Sequence, residues 1–262
     1  MKIDTEQIRG SMTDPRVHDS VPIIVFESTG STNDDARAYA RTHPEERAAL
    51  IVANSQTSGR GRLGRSFLSP ASRGIYMSIL LIRPELAPAD APLITAYAAT
   101  VVRQAISDVC SLDTRIKWVN DITVSDKKLS GILTEGALLP DGSYEYCTVG
   151  IGINVSGCVF PPELKDIATS LECEGAAVGR EALIARITEL FFKKLNTVGT
   201  LPVAEEYRQH SSVIGRRVTV IKPDTRYGAE VTGITDRCEL MLSLDGGGTE
   251  ILSTGEVSIR PE

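Results

Sequence analysis

The sequence predicts an α+β protein in which helices flank a mixed β-sheet and a small β-barrel of SH3-like size follows. Apolar strand-like runs and amphipathic helices alternate as far as about residue 212. After Gly215 the hydrophobic pattern changes to short runs of alternating apolar and polar residues, typical of strands and separated by Pro-Asp and Gly-Gly-Gly turns. This shift in periodicity predicts a boundary near residue 212, between a main domain over 22–212 and a C-terminal β domain over 213–262. The polar residues 1–21, before the first predicted strand, are expected to be a leader.

Each element follows from a local pattern. The run GIYMSILLI is β-branched and aromatic enough for a central strand, and Leu183, Ile187, Leu190 and Phe191 recur at helical spacing. The predicted helices cover 31–41, 91–110 and 179–195. The predicted strands cover 22–27, 48–54, 74–82, 115–121, 127–138 and 144–155, with a turn at 140–143, and then 216–221, 229–234, 239–244 and 250–259.

Composition limits the class of function. A chain of 262 residues with 42% hydrophobic residues can bury one sizeable core and a small second domain. The net charge of −6 argues against nucleic acid as a partner, because phosphate neutralisation needs a surplus of Lys and Arg. The sequence has neither an apolar run of about 20 residues nor a secretory signal pattern, so we expect a cytoplasmic protein with no membrane partner.

The cysteines and histidines predict no special chemistry. The five cysteines are odd in number and lack C-x-x-C spacing, so we expect mostly reduced core thiols and no disulfide framework. The three histidines, His18, His43 and His210, are scattered without metal-ligand spacing, and we expect them on the surface or in loops.

The stretch SGRGRLGRSF at 58–67 matches G-x-G-x-x-G, which raises the possibility of a dinucleotide or phosphate loop. A dinucleotide fingerprint must open a helix, and Pro70 and Gly74 argue against a helix after this loop. The further motifs of a kinase are absent, and a Walker loop would end in Gly-Lys rather than Gly-Arg. These nucleotide-binding folds are therefore disfavoured.

The arginines of the same loop indicate an anion site. Arg60, Arg62 and Arg65 present planar cationic forks suited to carboxylate or phosphate oxygens, and the glycines permit close approach. A solvated basic turn is the alternative interpretation. Because the loop has few apolar anchors, we predict that it is mobile without ligand and becomes ordered over a bound one.

Further polar residues lie at the ends of apolar strands, where sites are commonly built. They are Lys117, Trp118, Asn120, Asp121, Lys128, Gly131 and Asn154. Four of these residues have a structural alternative: Trp118 fits a core, Asp121 and Asn154 fit turns, and Lys128 fits a solvated pair with Lys127. Gly150 and Gly152 fit a strand bulge equally well.

Five motifs together resemble the biotin protein ligases, in the family's order and at comparable spacing. They are STN at 31–33, Q-x-x-GRGRLGR at 56–65, KWVND at 117–121, KLSGIL at 128–133 and VGIGINV at 149–155. The resemblance covers roughly residues 22–210, and the C-terminal segment suits the family's SH3-like domain. It implies the mixed sheet of the class II synthetase and biotin/lipoate ligase fold.

The resemblance also implies a reaction in two steps. Biotin and Mg-ATP give biotinyl-5′-AMP and pyrophosphate, and a lysine of a biotin carboxyl carrier protein, part of acetyl-CoA carboxylase, then takes the biotinyl group. Biotin, ATP and Mg²⁺ are the implied small molecules, with no metal ligand identified, and a homodimer is left open. No enzyme nucleophile is required, which agrees with the absence of a Ser-His-Asp or Cys-His pattern.

The matched motifs imply roles for individual residues. Lys128 and Arg62 would be catalytic by offsetting negative charge. The implied biotin site comprises Ser31, Thr32, Asn33, Gln56, Gly59, Arg60, Gly61, Arg62, Lys128, Gly131 and Gly150. The implied ATP and adenylate site comprises Arg65, Phe67, Lys117, Trp118, Asn120, Asp121 and Asn154.

The chain departs from the family pattern at two positions. Val119 stands where the family usually has Pro, and Phe67 stands where it often has Trp, which keeps the aromatic face for adenine and loses the indole donor. Residues 1–21 are too short for the winged helix-turn-helix of some members, because independent domains rarely fall below about 40 residues, so we expect no DNA partner.

Two alternatives are retained. One is a lipoate or octanoate ligase or transferase of the same fold, whose loop pattern differs. The other is a nucleic-acid-binding module.

Overall fold

The computed structural model describes residues 2–222 and 224–259. Its α-helices are α1 (Thr5–Gly10), α2 (Pro15–Ser20), α3 (Thr32–Thr42), α4 (Ala91–Cys110), α5 (Arg180–Lys194) and α6 (Leu201–Gln209). Its strands are β1 (Ile23–Phe26), β2 (Ala48–Ala53), β3 (Gly74–Ile82), β4 (Arg115–Lys117), β5 (Asp121–Val124), β6 (Lys127–Leu138), β7 (Tyr144–Asn154), β8 (Arg217–Ile221), β9 (Arg226–Ile234), β10 (Leu240–Leu244), β11 (Thr249–Leu252) and β12 (Glu256–Ile259). None of the helices in the described part of the chain is long and apolar enough to cross a membrane.

The main sheet is mixed, as the sequence predicts. Its seven strands lie in the order β1-β2-β3-β7-β6-β5-β4. The first pair is parallel and the other neighbouring pairs are antiparallel. Strand β3 lies third in this order and is buried at every position, which confirms that it is central.

The two faces of the sheet carry different cores. Alternate residues such as Leu50, Met77 and Ile79 join the large core that includes side chains of α4 and α5. The intervening residues, such as Ile51 and Leu80, pack with α3 in a smaller cluster. This division follows from the period of two along a strand. The smaller cluster leaves part of the α3 face free for polar groups.

The C-terminal strands form a separate antiparallel sheet in the order β11-β10-β9-β8-β12. It is the small SH3-like domain that the periodicity predicts. It contacts the main domain through the Trp118 indole, whose Nε1 donates to the carbonyl oxygen of Cys238 at 2.9 Å. Arg237 also donates to Asp90 at 3.1 Å. The small domain is therefore held against the turn that follows β4.

The structure corrects the predicted strand over 115–121. Strand β4 ends at Lys117, Trp118 to Asn120 form a turn, and β5 starts at Asp121 and runs back antiparallel to β4. The peptide bond between Trp118 and Val119 is cis. The hydrophobic pattern does not reveal this turn, because its residues Trp118 and Val119 are apolar and buried like the residues of a strand.

Three α-helices in the described residues, α1, α2 and α6, are not predicted from the sequence patterns. Residues 1–21, for which no helix is predicted, contain α1 and α2. Ile8 and Val17 of these helices are buried in the large core, and Asp4 and Asp14 cap their first turns. Helix α6 is the next α-helix along the chain after α5 and contributes the fully buried Tyr207. Helices of six to nine residues carry too few periodic positions for a clear pattern.

Cys158 and Cys173 correct a second expectation, because they are joined in a disulfide. The other three cysteines are free, and Cys147 and Cys238 are buried as predicted. Burial raises the pKa of Cys147 to about 12 and that of Cys238 to about 11, so both thiols stay protonated at neutral pH.

Reduction of the disulfide is expected to lower the free energy of unfolding. Its two cysteines are 15 residues apart in sequence. A loop of this length gives roughly 3 kcal/mol in the chain-entropy model. Urea unfolding with and without a reductant measures the difference, and the Cys158→Ser/Cys173→Ser double variant should be insensitive to the reductant. Equal stability of the wild type in both conditions would contradict this expectation.

Candidate functional site

The site lies on the α3 face of the main sheet, and strand register places its residues there. Ser78 pairs with Gly150, and Gly150 pairs with Leu133 on the next strand. Gly131 and Gly152 are likewise direct partners. Because paired residues share a face, the three glycines leave a patch of sheet with no side chains. A flat group can lie against this patch.

Asn33, in the first turn of α3, is held by four hydrogen bonds. Its Oδ1 accepts from the hydroxyls of Ser78 at 2.6 Å and Thr148 at 3.1 Å. Its Nδ2 donates to the Leu133 carbonyl at 3.3 Å and to Glu135 Oε2 at 2.7 Å. These bonds use the amide's full capacity and fix which end is the donor. Asn33 is thus a rigid wall of the pocket.

Thr32 and Gln56 form a second polar wall. The backbone N–H and hydroxyl of Thr32 donate to Gln56 Oε1 at 2.9 and 3.2 Å. Gln56 Nε2 donates to the Ser69 hydroxyl at 2.9 Å. A Cβ at Gly59 would lie 2.5 Å from the Phe67 carbonyl oxygen, so only glycine fits there. Ser31, the N-cap residue of α3, completes this side without a side-chain cap bond.

The arginine loop, residues 58–67, folds over these walls as a flap. Gly61 N donates to the Arg65 carbonyl at 2.7 Å, and Phe67 N donates to that of Gly59 at 2.8 Å. The Phe67 ring covers part of the glycine patch, since a Cβ at Gly152 would be 2.5 Å from it. In the described segment 65–73 the chain forms turns and a bridge rather than a helix, which agrees with the rejection of a dinucleotide fingerprint.

The flap arginines all have partners. Arg60 pairs with Asp34 and with Glu135, Arg62 donates to Asn120 Oδ1 at 3.3 Å, and Arg65 lies 2.6 Å from Glu256. Arg62 also donates to the Gly255 carbonyl at 3.2 Å. Two of the three arginines therefore connect the flap to the C-terminal domain. The predicted mobility of the flap without ligand stays a prediction.

The pKa shifts agree with this geometry. The hydrogen bond from Arg60 lowers the pKa of Asp34, and the reciprocal bond from Asp34 raises the pKa of Arg60. Burial lowers the pKa of Arg62, although guanidinium stays charged in proteins. Arg62 is thus a partly desolvated cation, which interacts more strongly with an anion than a hydrated one does.

Two cavities meet under the flap. The first, of about 50 Å³, includes most of the residues predicted for biotin in its lining, namely Ser31, Thr32, Asn33, Gln56, Arg60, Gly61, Arg62, Lys128, Gly131 and Gly150. The second, of about 110 Å³, includes residues predicted for the nucleotide, namely Arg65, Phe67, Lys117, Trp118, Asn120 and Asp121. Arg62 and Lys128 line both cavities.

Lys128 therefore lies at the junction of the two cavities. Its Nζ is 2.6 Å from Asp121 Oδ1 and its side chain is 38% exposed. Its backbone is fixed on both sides, because its N–H donates to the Ile167 carbonyl at 2.8 Å and its carbonyl accepts from Thr169 N at 2.9 Å. A cation held at this junction can contact groups in either cavity.

Two predicted site residues have structural roles. Asn154 Nδ2 donates to the Thr169 carbonyl at 2.9 Å and lines neither cavity. Trp118 lines the second cavity but is only 4% exposed, with its indole N–H bonded to Cys238. Both observations match the structural alternatives for these residues.

Sequence reasoning missed several polar contributors to the site. Asp34, Ser78, Glu135, Thr148 and Glu256 contact the predicted residues directly. Glu135 is two residues beyond the KLSGIL motif, so alternation along β6 could have placed it on the same face as Gly131. Asp34 directly follows the STN motif and Thr148 directly precedes VGIGINV, whereas Ser78 and Glu256 lie outside all five motifs and carry no motif signal.

The described residues do not form a protein cage for a metal. Among residues 2–222 and 224–259, no group of three or more His, Cys, Asp or Glu side chains is placed to hold an ion. Asp121 and Glu256 are the carboxylates among the residues that line the second cavity, and Asp121 Oδ1 lies 2.6 Å from Lys128 Nζ. Since Mg²⁺ binds through one or two carboxylates plus substrate phosphates, these residues fit an ion that arrives with a nucleotide.

Comparison with known proteins identifies the family to which the fold belongs. Residues 25–154 match the Biotin/lipoate A/B protein ligase family. Residues 213–260 match the biotin protein ligase C terminal domain. The first match contains the flap and both strands of glycines, and the second contains Gly255 and Glu256.

Individual relatives extend the likeness over most of the chain. The bifunctional ligase/repressor BirA of Bacillus subtilis is 34% identical over 237 residues, which cover 88% of this chain and 72% of the relative. The biotin--[acetyl-CoA-carboxylase] ligase of Mycobacterium tuberculosis is 32% identical over 244 residues, covering 89% and 87%. The solved biotin protein ligase from Aquifex aeolicus, in complex with biotin and ATP, has a TM-score of 0.74 at 25% identity, covering 92% and 99%. The chain belongs to the biotin protein ligase family.

Proposed function

We propose that this biotin protein ligase activates biotin with ATP and transfers the biotinyl group to a carrier lysine. The observation that carries the proposal is the junction of two cavities at Lys128 and Arg62. The relative from Aquifex aeolicus, solved with biotin and ATP, and the ligase names of the sequence relatives support the same pair of substrates. Lipoate or octanoate activation has less support, because the C-terminal match is to biotin protein ligases.

The first step joins the two substrates at the junction. A carboxylate oxygen of biotin attacks the α-phosphorus of ATP, and the bond to the pyrophosphate oxygen breaks. Both reactants are anionic, so the barrier contains electrostatic repulsion that fixed cations reduce. Lys128 and the partly desolvated Arg62, which line both cavities, would supply these cations. Arg62 keeps its position because Asn120 and Gly255 accept its hydrogen bonds.

The second step uses the adenylate as an acyl donor. The carrier amine attacks the biotinyl carbonyl carbon, loses a proton as the amide forms, and AMP leaves with the electron pair of the anhydride bond. The flap covers the mixed anhydride and limits attack by water until the amine arrives. Transfer therefore requires the flap to open far enough to admit the carrier lysine while it still excludes bulk water.

The proposed residue roles follow the two cavities. Biotin lies against the glycine patch between the walls formed by Thr32, Asn33 and Gln56, with the flap above. The nucleotide lies in the second cavity near Lys117, Asp121 and Phe67, with its magnesium ion held mainly by phosphate oxygens. Arg65 lies beside the second cavity, where its guanidinium pairs with Glu256. It would contact the nucleotide after leaving this carboxylate.

The partner and organisation of the chain are also proposals. We propose a biotin carboxyl carrier domain of acetyl-CoA carboxylase as the acceptor, in keeping with the name of the Mycobacterium tuberculosis relative. We propose the division into 22–212 and 213–262 as catalytic and C-terminal domains. We also propose a cytoplasmic location, where ATP is available. A homodimer stays a prediction.

Exchange of labelled pyrophosphate into ATP tests the proposed activity. The reverse of the first step produces this exchange only when the correct acid is bound. We expect exchange that depends on biotin, followed by biotinylation of an apo carrier domain. Exchange with lipoate or octanoate but not with biotin would assign the chain to the other branch of the fold, and DNA binding without exchange would contradict both.

A further inference from the structure

Tyr207 of α6 is a fully buried side chain that ends in a polar group. None of its surface is exposed, and its hydroxyl donates to the Val119 carbonyl at 3.0 Å. Burial raises the pKa of the Tyr207 hydroxyl well above its ordinary value, so the group stays protonated and remains a donor at neutral pH. A buried tyrosine usually bonds its hydroxyl to a partner, and here the partner is the backbone of the turn between β4 and β5.

The main sheet fixes the position of Tyr207. The residues that follow α6 run parallel to β4, the strand at the end of the sheet. The Ile116 N–H donates to the His210 carbonyl at 2.8 Å, and the Ser212 N–H donates to the Ile116 carbonyl at 2.9 Å. Helix α6 therefore ends against the same strand that leads into the turn, one helical turn after Tyr207.

The turn that Tyr207 contacts leads directly into the second cavity. Asn120 and Asp121 follow Val119 in the chain, and both line that cavity. Asp121 Oδ1 also lies 2.6 Å from Lys128 Nζ. Because a peptide unit is planar and rigid, a change in the direction of the Val119 carbonyl also moves the backbone of Asn120. Tyr207 itself is not among the described residues that line either cavity, so it acts on the site only through this turn.

Side-chain hydrogen bonds from two distant elements hold the turn. The ring of a proline would restrain the backbone at position 119, but the residue there is valine. The indole N–H of Trp118 donates to the Cys238 carbonyl in the C-terminal domain, and the Tyr207 hydroxyl donates to the Val119 carbonyl. If the hydroxyl were removed, this carbonyl would lose its donor in a buried place, and the turn would shift towards another donor.

We propose that Tyr207 is a positioning residue for the nucleotide half of the site. Its hydroxyl fixes the Val119 carbonyl and thereby sets where Asn120 and Asp121 face the second cavity. The polar walls of the first cavity lie on α3 and in the segment after β2, so they do not depend on this bond. The proposal rests on the proposed function for what occupies the second cavity, whereas the contact between Tyr207 and the turn is independent of it.

Tyr207→Phe tests the proposal, because it removes the hydroxyl and keeps the ring. We expect kcat/KM for ATP in biotin-dependent pyrophosphate exchange to fall about three- to tenfold, the range for the loss of one neutral hydrogen bond. Biotin affinity, measured by isothermal titration, should change by no more than about twofold, as for a distant site. Equal kcat/KM for ATP in Tyr207→Phe and the wild type would overturn the proposal, as would an equal loss of biotin affinity.

The matched control is Tyr97→Phe. Tyr97 of α4 is also fully buried, and its hydroxyl donates to the carbonyl of Phe191 in α5. It is absent from the described residues that line the two cavities. We expect the urea midpoints of both variants to fall to a similar extent, while kcat/KM for ATP in Tyr97→Phe stays at the wild-type value. A fall in kcat/KM that is equal in the two variants would show an effect of stability alone and would overturn the assigned role.

Trp118 provides a second readout that needs no ligand. It is the single tryptophan of the chain, it directly precedes Val119, and it is only 4% exposed. In Tyr207→Phe we expect acrylamide to quench its fluorescence about twofold more strongly, because the turn opens more often, whereas Tyr97→Phe should match the wild type. Unchanged quenching in Tyr207→Phe would overturn the proposal. If the wild type shows no biotin-dependent exchange, the proposed function fails, but the quenching still decides whether Tyr207 holds the turn.

Discussion

Lys128→Ala is expected to slow formation of biotinyl-AMP by about 10²–10³-fold, the usual loss when one preorganised charge-stabilising group is removed. Lys128 lies at the junction of the two cavities, where negative charge from the carboxylate and the α-phosphate comes together. Because this repulsion is largest in the transition state, the loss should appear in the single-turnover rate. Biotin affinity should fall by less, about tenfold at most.

Lys127→Ala is the matched control for this change. Lys127 precedes Lys128 on β6 but is exposed to solvent and lines neither cavity. Its removal takes away the same charge and stem, so its single-turnover rate should remain close to that of the wild type. If Lys128→Ala lowers biotin affinity and leaves the single-turnover rate unchanged, the residue binds biotin and has no role in the chemical step.

Gly150→Ala should weaken biotin binding by at least about tenfold and destabilise the fold by about 1–3 kcal/mol, the range for overpacking. A Cβ at this position would lie 2.5 Å from Asn33 Oδ1. Asn33 cannot move aside cheaply, because all four of its hydrogen bonds would be disturbed. The added methyl group would also protrude from the glycine patch, on which the biotin ring is proposed to lie.

Isothermal titration with biotin and urea unfolding measure the two effects of this substitution. Gly246→Ala is the control, since nothing lies within 4 Å of a Cβ there. We expect the control to bind biotin normally. Normal biotin affinity in Gly150→Ala would remove the glycine patch and the Asn33 wall from the proposed biotin site.

Much of the fold follows from local patterns. The helix over 91–110 and the strands over 74–82 and 127–138 have the predicted bounds, because long periodic segments leave little ambiguity. The turn at Trp118 escapes prediction because the aromatic ring and Val119 are buried and look like strand residues. Helices α1 and α2 escape it because each has only six residues, and they depend on packing against the core.

The candidate site likewise contains residues that the sequence predicts and residues that it does not. Motifs predict most residues of both cavities, since glycines, arginines and Lys128 carry chemistry that a pattern displays. The carboxylates that hold the flap, Asp34, Glu135 and Glu256, are brought to it by α3, β6 and the C-terminal domain. Contacts across 75 or 191 positions of sequence have no local signal. The disulfide between Cys158 and Cys173 likewise depends on a loop whose path the spacing does not specify.

The central claim is that a carboxylate oxygen of biotin attacks the α-phosphorus of ATP and that the resulting adenylate is the acyl donor for the carrier lysine. It is tested most directly with biotin carrying heavy oxygen in its carboxylate, the apo carrier domain and ATP, followed by mass spectrometry of the products. We predict one heavy oxygen in AMP, because the carboxylate oxygen bonded to the α-phosphorus stays with AMP when the lysine attacks. Heavy oxygen in inorganic phosphate or pyrophosphate, with none in AMP, would contradict it.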